Sequence, residues 1–196
     1  MQISDREIEI FQEMINIGIG RAGATLNQIL STHIELNVPH ISVLSLPDYL
    51  KQTKKENEIF SAVEMGFDGP FPGAAHLIFS NKSAAQLVSA LVGDEVKNDE
   101  IDEIKSGTLS EIGNILLNSV MGSISNILQD HFNYSVVEYM EGTLKNLIER
   151  SFRETTLLII AETNFYIQEM EIDGQIAILM TLKSFEIMEK AIGKII

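Results

Sequence analysis

The sequence contains one helical segment twice, and this duplication limits the chain to folds built from two similar units. The stretch "QEMINIGIGRAGATLNQIL" aligns without a gap with "SEIGNILLNSVMGSISNIL", 98 residues later. In this alignment Glu13 falls on Glu111 and Asn16 on Asn114, and most other pairs are similar in size. A repeat of this kind indicates two copies of one supersecondary unit.

The segments that follow each copy also resemble one another. "GAAHLIFSNKSAAQLVSALVG" and "GQIAILMTLKSFEIMEKAIG" each predict an apolar strand, a polar turn with Ser, and a short amphipathic helix. Further strand-like segments lie at residues 34–46, 59–67, 134–140 and 155–172. We therefore predict an α+β fold, an internal duplication of two α/β repeats with pseudo-twofold symmetry. The long helices should lie side by side on one face of a largely antiparallel sheet.

The predicted repeats cover about residues 4–93 and 102–193. Because neither is large, we expect them to share one core in a single domain. The acidic segment between them, residues 92–104, could hold a metal ion, but its carboxylates lack a fixed ligand spacing and favour a solvated linker. Residues 51–58 are predicted as an exposed loop, and residues 66–74 as a turn before a strand.

The acidic composition limits the partners that the chain can bind. There are 28 acidic and 14 basic residues, for a formal charge of −14. Such a surface repels phosphate backbones, so nucleic-acid binding is not expected, and it either favours a basic partner or maintains solubility. The absence of Cys excludes disulfides and thiol catalysis. With neither a signal-like N-terminus nor an apolar run of about 18 residues, a cytoplasmic protein is expected.

Three glycines in the first copy, Gly18, Gly20 and Gly23, match the dinucleotide-binding pattern GxGxxG. That pattern needs a preceding strand, whereas Ser4 and Glu7 form a capping box that begins a helix. Apolar residues then recur at helical spacing: Ile8, Phe11, Ile15, Ala22, Leu26 and Ile29. The glycines therefore lie inside a helix, where each costs roughly 1 kcal/mol relative to alanine. Close approach of a neighbouring helix or a partner is the expected reason.

One side of this helix carries polar groups. Glu9, Glu13, Asn16 and Gly20 fall on a narrow stripe far from the apolar face. A carboxylate and a carboxamide thus stand together on the exposed side, one turn before a residue without a side chain. Another molecule could approach Asn16 closely.

Few other patterns indicate catalysis. The chain has no Walker A loop, HExxH, GxSxG or EF-hand loop, although a Ser-His-Asp triad assembled in space stays open. The four histidines are far apart in sequence and are predicted as surface or half-buried residues rather than metal ligands: His33, His40, His76 and His131.

The duplicated Glu-x-x-Asn is the remaining candidate. Such a pair usually only solvates a helix face, but repetition at equivalent positions beside small residues favours a function. A carboxamide can accept a hydrogen bond from water while it donates another, as a Gln does when it orients the attacking water in GTP hydrolysis. A Glu one turn away can pair with a cation on a docked partner.

With these residues the sequence resembles the CheC/CheX/FliY family of chemotaxis response-regulator phosphatases. The family motif is Asp or Ser, three residues, Glu, two residues, Asn, and a Pro after 22 more. The first copy has Glu13, Asn16 and Pro39, and departs only at the leading position, which is Glu9.

The second copy keeps Glu111 and Asn114 but has Gly107 at the leading position and Val137 in place of Pro. Two motif copies resemble the CheC branch more than CheX, which carries one. The departures predict that the first site is active and leave the activity of the second open.

The resemblance implies a protein phosphatase that hydrolyses the aspartyl phosphate of a CheY-like response regulator. Asn16 and Asn114 would orient the attacking water, while Glu13 and Glu111 would dock the receiver's lysine. No cofactor of its own is implied, because the receiver domain supplies Mg²⁺. The particular regulator, the pathway and the oligomeric state stay open.

Two other functions remain as alternatives. The chain could be a non-catalytic adaptor that binds a response regulator or a CheD-like deamidase, or a structural element of the flagellar switch, as in FliY. An enzyme would accelerate the loss of phosphate from a phosphorylated receiver, whereas neither an adaptor nor a structural element would.

Overall fold

The computed structural model describes residues 5–30, 33–53, 57–92, 101–151, 156–167 and 170–194. The helices in these ranges are α1 (Asp5–Leu30), α2 (Leu46–Thr53), α3 (Asn81–Val92), α4 (Ile101–Leu128), α5 (Leu144–Ser151) and α6 (Leu182–Ile192). The strands are β1 (Ile34–Ser45), β2 (Phe60–Asp68), β3 (Gly73–Ser80), β4 (Asn133–Tyr134), β5 (Glu138–Gly142), β6 (Thr156–Ile167) and β7 (Met170–Thr181).

The strands form one antiparallel sheet in which each repeat supplies outer strands that pair with the other repeat. The order is β1-β6-β7-β3-β2-β4, and β5 also pairs with β2. Strand β1 of the first repeat therefore lies beside β6 of the second, with Ile34 opposite Ile167, and β5 of the second lies beside β2 of the first. The two repeats meet at the central β3–β7 pair. This order is symmetric about its centre, as the predicted pseudo-twofold axis requires.

Helices cover both faces of the sheet. The long helices α1 and α4 pack on one face, in a cluster that also contains side chains of α3 and α6. The short helices α2 and α5 pack on the other face. Successive strand residues contribute to opposite clusters, as shown by Leu77 and Ile78 in β3 and by Ile159 and Ile160 in β6. The α+β fold with paired long helices on an antiparallel sheet is confirmed.

Four short helices begin at the end of a strand or one residue beyond it, where a Ser or Thr caps them. Ser45, Ser80, Thr143 and Thr181 each accept a hydrogen bond from a backbone N–H three residues later. These caps satisfy donors that the first helical turn leaves open. Helices α2 and α5 were not predicted from the sequence. The first three residues of the predicted 51–58 loop belong to α2, while residues 54–56 lie outside the described residues.

The structure also differs from the prediction in the exposure and bounds of some elements. Ile29, predicted on the apolar face of α1, is 55% exposed and lies in the last turn of that helix, which ends at Leu30. Strand β7 begins at Met170, earlier than the glycine at which the predicted strand began. The predicted turn at 66–74 is confirmed only for residues 69–72, since β2 extends to Asp68 and β3 begins at Gly73. Ser4 and most of the acidic linker lie outside the described residues. None of the described helices is long and apolar enough to cross a membrane.

Candidate functional site

The two helices that carry the Glu-x-x-Asn pairs touch through their backbones. A Cβ atom added to Gly18 would lie 2.5 Å from the Cα of Val120 and 2.8 Å from the carbonyl oxygen of Ser119. No side chain fits there, so this glycine permits the close packing of α1 on α4. Close approach of a neighbouring helix, one of the two reasons predicted for these glycines, is confirmed at Gly18, and both motif segments belong to one helix pair.

The first site lies on the outer side of α1. Glu13 and Gly20 are exposed, and Asn16 is half-buried. A Cβ added to Gly20 would meet no atom within 4 Å. Among the residues that the structure describes, neither Glu13 nor Asn16 forms a side-chain hydrogen bond or ion pair. The carboxylate and the carboxamide thus have unused hydrogen-bonding capacity, next to space that another molecule could occupy.

The second site, on α4, differs in its hydrogen bonding. Glu111 and Asn114 are both exposed. The Nδ2 of Asn118 donates to the Asn114 side-chain Oδ1 at 2.8 Å and to the Asn114 backbone oxygen at 2.7 Å. The position equivalent to Asn118 in the first copy is Gly20. Asn118 was not predicted as a site residue, although its spacing of four residues on a helix predicts contact with Asn114.

The last position of each motif lies at an irregularity of the sheet. Pro39 falls between Asn37 and His40, where the pairing of β1 with β6 shifts register. Val137 lies in the gap between β4 and β5. A proline cannot donate to a strand ladder, so it suits such an irregularity. The Nε2 of Gln12 donates to the carbonyl oxygen of Val38 at 3.5 Å, which ties α1, one turn before Asn16, to the strand at this point.

The start of α4 is fixed by a polar cluster on β5. The Nζ of Lys105 donates to the Glu141 carboxylate at 2.6 Å, and the Tyr139 hydroxyl donates to the same oxygen at 2.5 Å. The hydrogen bond from Lys105, followed by that from Tyr139, holds the pKa of Glu141 below its ordinary value. This cluster anchors the helix two turns before the second Glu-x-x-Asn pair.

Glu141→Gln is expected to flatten the dependence of stability on pH in the acid range. Because folding lowers the pKa of Glu141, its contribution is fully present above the unfolded value of 4.5 and is lost as the pH falls through the folded value. The carboxylate is partly exposed, so the variant should lose about 1 kcal/mol or less of unfolding free energy at neutral pH. Urea unfolding of the variant and the unmodified chain at pH 7 and pH 3.5 measures this difference in unfolding free energy. Glu149→Gln, at an exposed i,i+4 pair with Lys145, is the control, and an equal loss at both pH values would contradict the prediction.

The histidines are not arranged as metal ligands within the described ranges, where no group of three potential ligands converges. His33, His40 and His131 are exposed as expected, but the prediction is wrong for His76, which is fully buried. His76 lies in the central strand β3, and its Nε2 is 3.2 Å from the Glu64 carboxylate on β2. A histidine in a strand covered on both faces has no route to the surface.

An open cavity of about 540 Å³ lies on the sheet face that α2 and α5 cover. Its lining includes Tyr49, Glu162, Asp173 and Gln175. The Glu-x-x-Asn pairs lie on helices that pack on the opposite face, so the cavity forms no part of the candidate site.

Comparison with known proteins agrees with this architecture. No protein-family model matches the chain. The CheY-P phosphatase CheC of Bacillus subtilis (strain 168) is 22% identical over 200 residues, which cover 97% of this chain and 96% of CheC. The chain is therefore similar to the CheC/CheX/FliY family, and most of all to its CheC branch. The resemblance that the motifs indicated is confirmed.

Solved structures share the fold of this CheC-like chain. FliY of Thermotoga maritima matches with a TM-score of 0.78 and 19% identity, over 100% of both chains. The CheX–CheY–BeF3–Mg²⁺ complex from Borrelia burgdorferi contains a chain that matches with a TM-score of 0.54 and 16% identity. That match covers 86% of this chain and 99% of the other. At these identities the structures establish the fold.

Proposed function

We propose that this chain hydrolyses the aspartyl phosphate of a CheY-like response regulator. The observation that supports the proposal best is the pair formed by Glu13 and Asn16, on the outer side of a helix whose packing against α4 is fixed by Gly18. Similarity to a CheY-P phosphatase over 97% of the chain supports the same reaction. A structural neighbour solved in complex with CheY supports the same class of partner.

The chemistry assigned to Asn16 is the positioning of water. Its Oδ1 accepts a hydrogen bond from a water molecule and holds that water in line with phosphorus. The water oxygen bonds to phosphorus, the bond from phosphorus to the aspartyl oxygen breaks, and the products are a carboxylate and inorganic phosphate. The receiver supplies Mg²⁺ and a lysine, which stabilise the charge on the phosphoryl group. This chain then needs no metal ion of its own.

The role assigned to Glu13 is docking. Its exposed carboxylate lies one turn from Asn16 and pairs with the receiver's lysine, which fixes the partner over the carboxamide. The space beside Gly20 admits the receiver's backbone close to α1. Glu111 and Asn114 take the same roles at the second site.

A timed dephosphorylation assay tests the proposal. A CheY-like receiver phosphorylated with a small-molecule phosphodonor should lose phosphate faster with the full chain than alone. The acceleration should disappear in the double variant Asn16→Ala/Asn114→Ala. Stable binding without acceleration would refute the proposal and support the adaptor alternative.

Glu13→Gln is expected to raise the KM for the phosphorylated receiver more than it changes kcat. The substitution keeps the size of the side chain but removes the charge that pairs with the lysine. An exposed pair of this kind accounts for about a fivefold change or less, which should shrink as salt is added. Kinetics at low and high salt, in an Asn114→Ala background, measure it. Glu186→Gln, at an exposed position on α6, is the control, and a fall in kcat alone would rule out the docking role.

A further inference from the structure

The two candidate sites differ at the residue four positions after the motif asparagine. In the first copy this residue is Gly20, where an added Cβ would meet no atom within 4 Å. In the second copy it is Asn118, whose Nδ2 donates to the Oδ1 of Asn114 at 2.8 Å. The same Nδ2 also donates to the Asn114 backbone oxygen at 2.7 Å, so the Asn118 side chain is held along the helix toward Asn114.

This contact acts on the atom that the proposed chemistry requires. A carboxamide oxygen has two acceptor positions, and Asn118 occupies one of them. The contact also selects one orientation of the Asn114 side chain, with its oxygen turned toward the following helical turn. To position water, the carboxamide must be free to turn toward the incoming phosphoryl group, because small displacements of the water from in-line geometry reduce the rate. At the first site no described residue holds the carboxamide of Asn16 in this way.

The difference also affects the space around each carboxamide. Gly20 leaves an open surface one turn from Asn16, whereas the Asn118 side chain covers the equivalent surface beside Asn114. A receiver loop that enters the second site must displace Asn118 or dock farther from the helix.

We infer that the residue four positions after the motif asparagine is a positioning residue that sets the relative activity of the two sites. Gly20 leaves Asn16 free to orient water, and Asn118 restrains Asn114. The inference rests on the proposed phosphatase function. It attributes part of the difference in activity between the sites to Asn118, beside the motif departures at Gly107 and Val137.

The test uses full-length variants in which one site remains. In an Asn16→Ala background, Asn118→Ala should raise the kcat of receiver dephosphorylation by about 1.5- to 2-fold, the factor expected when one intrahelical amide hydrogen bond is lost. Asn118→Leu keeps much of the bulk but cannot donate. It should therefore also raise kcat. The KM for the receiver should fall mainly in Asn118→Ala, because only that substitution removes the bulk that covers the surface beside Asn114.

The reciprocal variant introduces the restraint at the first site. In an Asn114→Ala background, Gly20→Asn should lower kcat by a similar factor. The open surface at Gly20 accepts a side chain, and asparagine favours a helix more than glycine does, so unfolding would not account for the loss. Nuclear magnetic resonance of the side-chain amides provides a readout independent of turnover: the Asn114 amide signals should shift in Asn118→Leu.

The outcomes separate this inference from the proposed function. If the unmodified chain does not accelerate phosphate loss, the phosphatase function fails and this inference fails with it. If the double variant Asn16→Ala/Asn114→Ala is as fast as an accelerating unmodified chain, the roles assigned to the two asparagines fail, and this inference with them. If the double variant is inactive but the substitutions at 118 and 20 leave kcat unchanged, only this inference is overturned. Opposite changes in kcat at the two positions would support it.

Discussion

Asn16→Ala is expected to remove most of the phosphatase activity, whereas Asn114→Ala should remove the smaller part. Each substitution deletes the carboxamide that holds the attacking water. Loss of in-line positioning costs on the order of 10²-fold at the affected site. The Asn16 carboxamide is unengaged among the described residues, while that of Asn114 is bound to Asn118. The first site should therefore carry most of the turnover.

Initial rates of phosphate release from a phosphorylated receiver measure this difference. The double variant should fall to the rate of the receiver alone. Asn126→Ala, at an exposed position on α4 well beyond the motif, is the matched control and should retain full activity. Equal losses in the two single variants would contradict the ranking of the sites.

Gly18→Ala is expected to destabilise the protein, in contrast to Gly20→Ala on the same helix. The new methyl group at position 18 would lie 2.5 Å from the Cα of Val120, and backbone cannot move aside as a flexible side chain can. Forcing α1 away from α4 should cost about 1–3 kcal/mol, more than the roughly 1 kcal/mol that alanine gains over glycine in a helix.

Thermal unfolding of both variants tests this contrast. A loss of 1 kcal/mol lowers the Tm by about 2–4 °C in a protein of this size. Gly20→Ala meets no atom within 4 Å and should raise the Tm slightly, since only the helix propensity changes. A stable Gly18→Ala variant would show that the two helices are not packed backbone to backbone at this point.

The sequence predicted the long helices, most strands and the exposed stripe of α1, because these features repeat at the spacing of a helix or a strand. Helices α2 and α5 were missed because eight residues give too short a periodic signal. Their caps were nevertheless visible in "SLPD" and "TLKN", where a Ser or Thr precedes the first turn.

Other features depend on contacts that spacing cannot specify. Alternation assigns strand residues to faces but does not choose a partner strand, so the pairing of β1 with β6, more than 100 residues away, was not predicted. The polar stripe placed Gly20 on the exposed side of α1, but spacing alone did not identify Gly18 as the point where α4 crosses. Likewise, the Asn118–Asn114 contact depends on side-chain orientation as well as spacing.

The exchange of β1 and β5 across the sheet bears on the origin of the chain. Among the described strands, β1 of the first half and both β4 and β5 of the second half pair with strands of the other half and not with strands of their own. Two separate copies of a single repeat could form the same sheet as an intertwined homodimer. A gene fusion that joined such copies would keep every interface and only add a connector, after which substitutions in one copy, such as glycine or asparagine after the motif, could diverge independently.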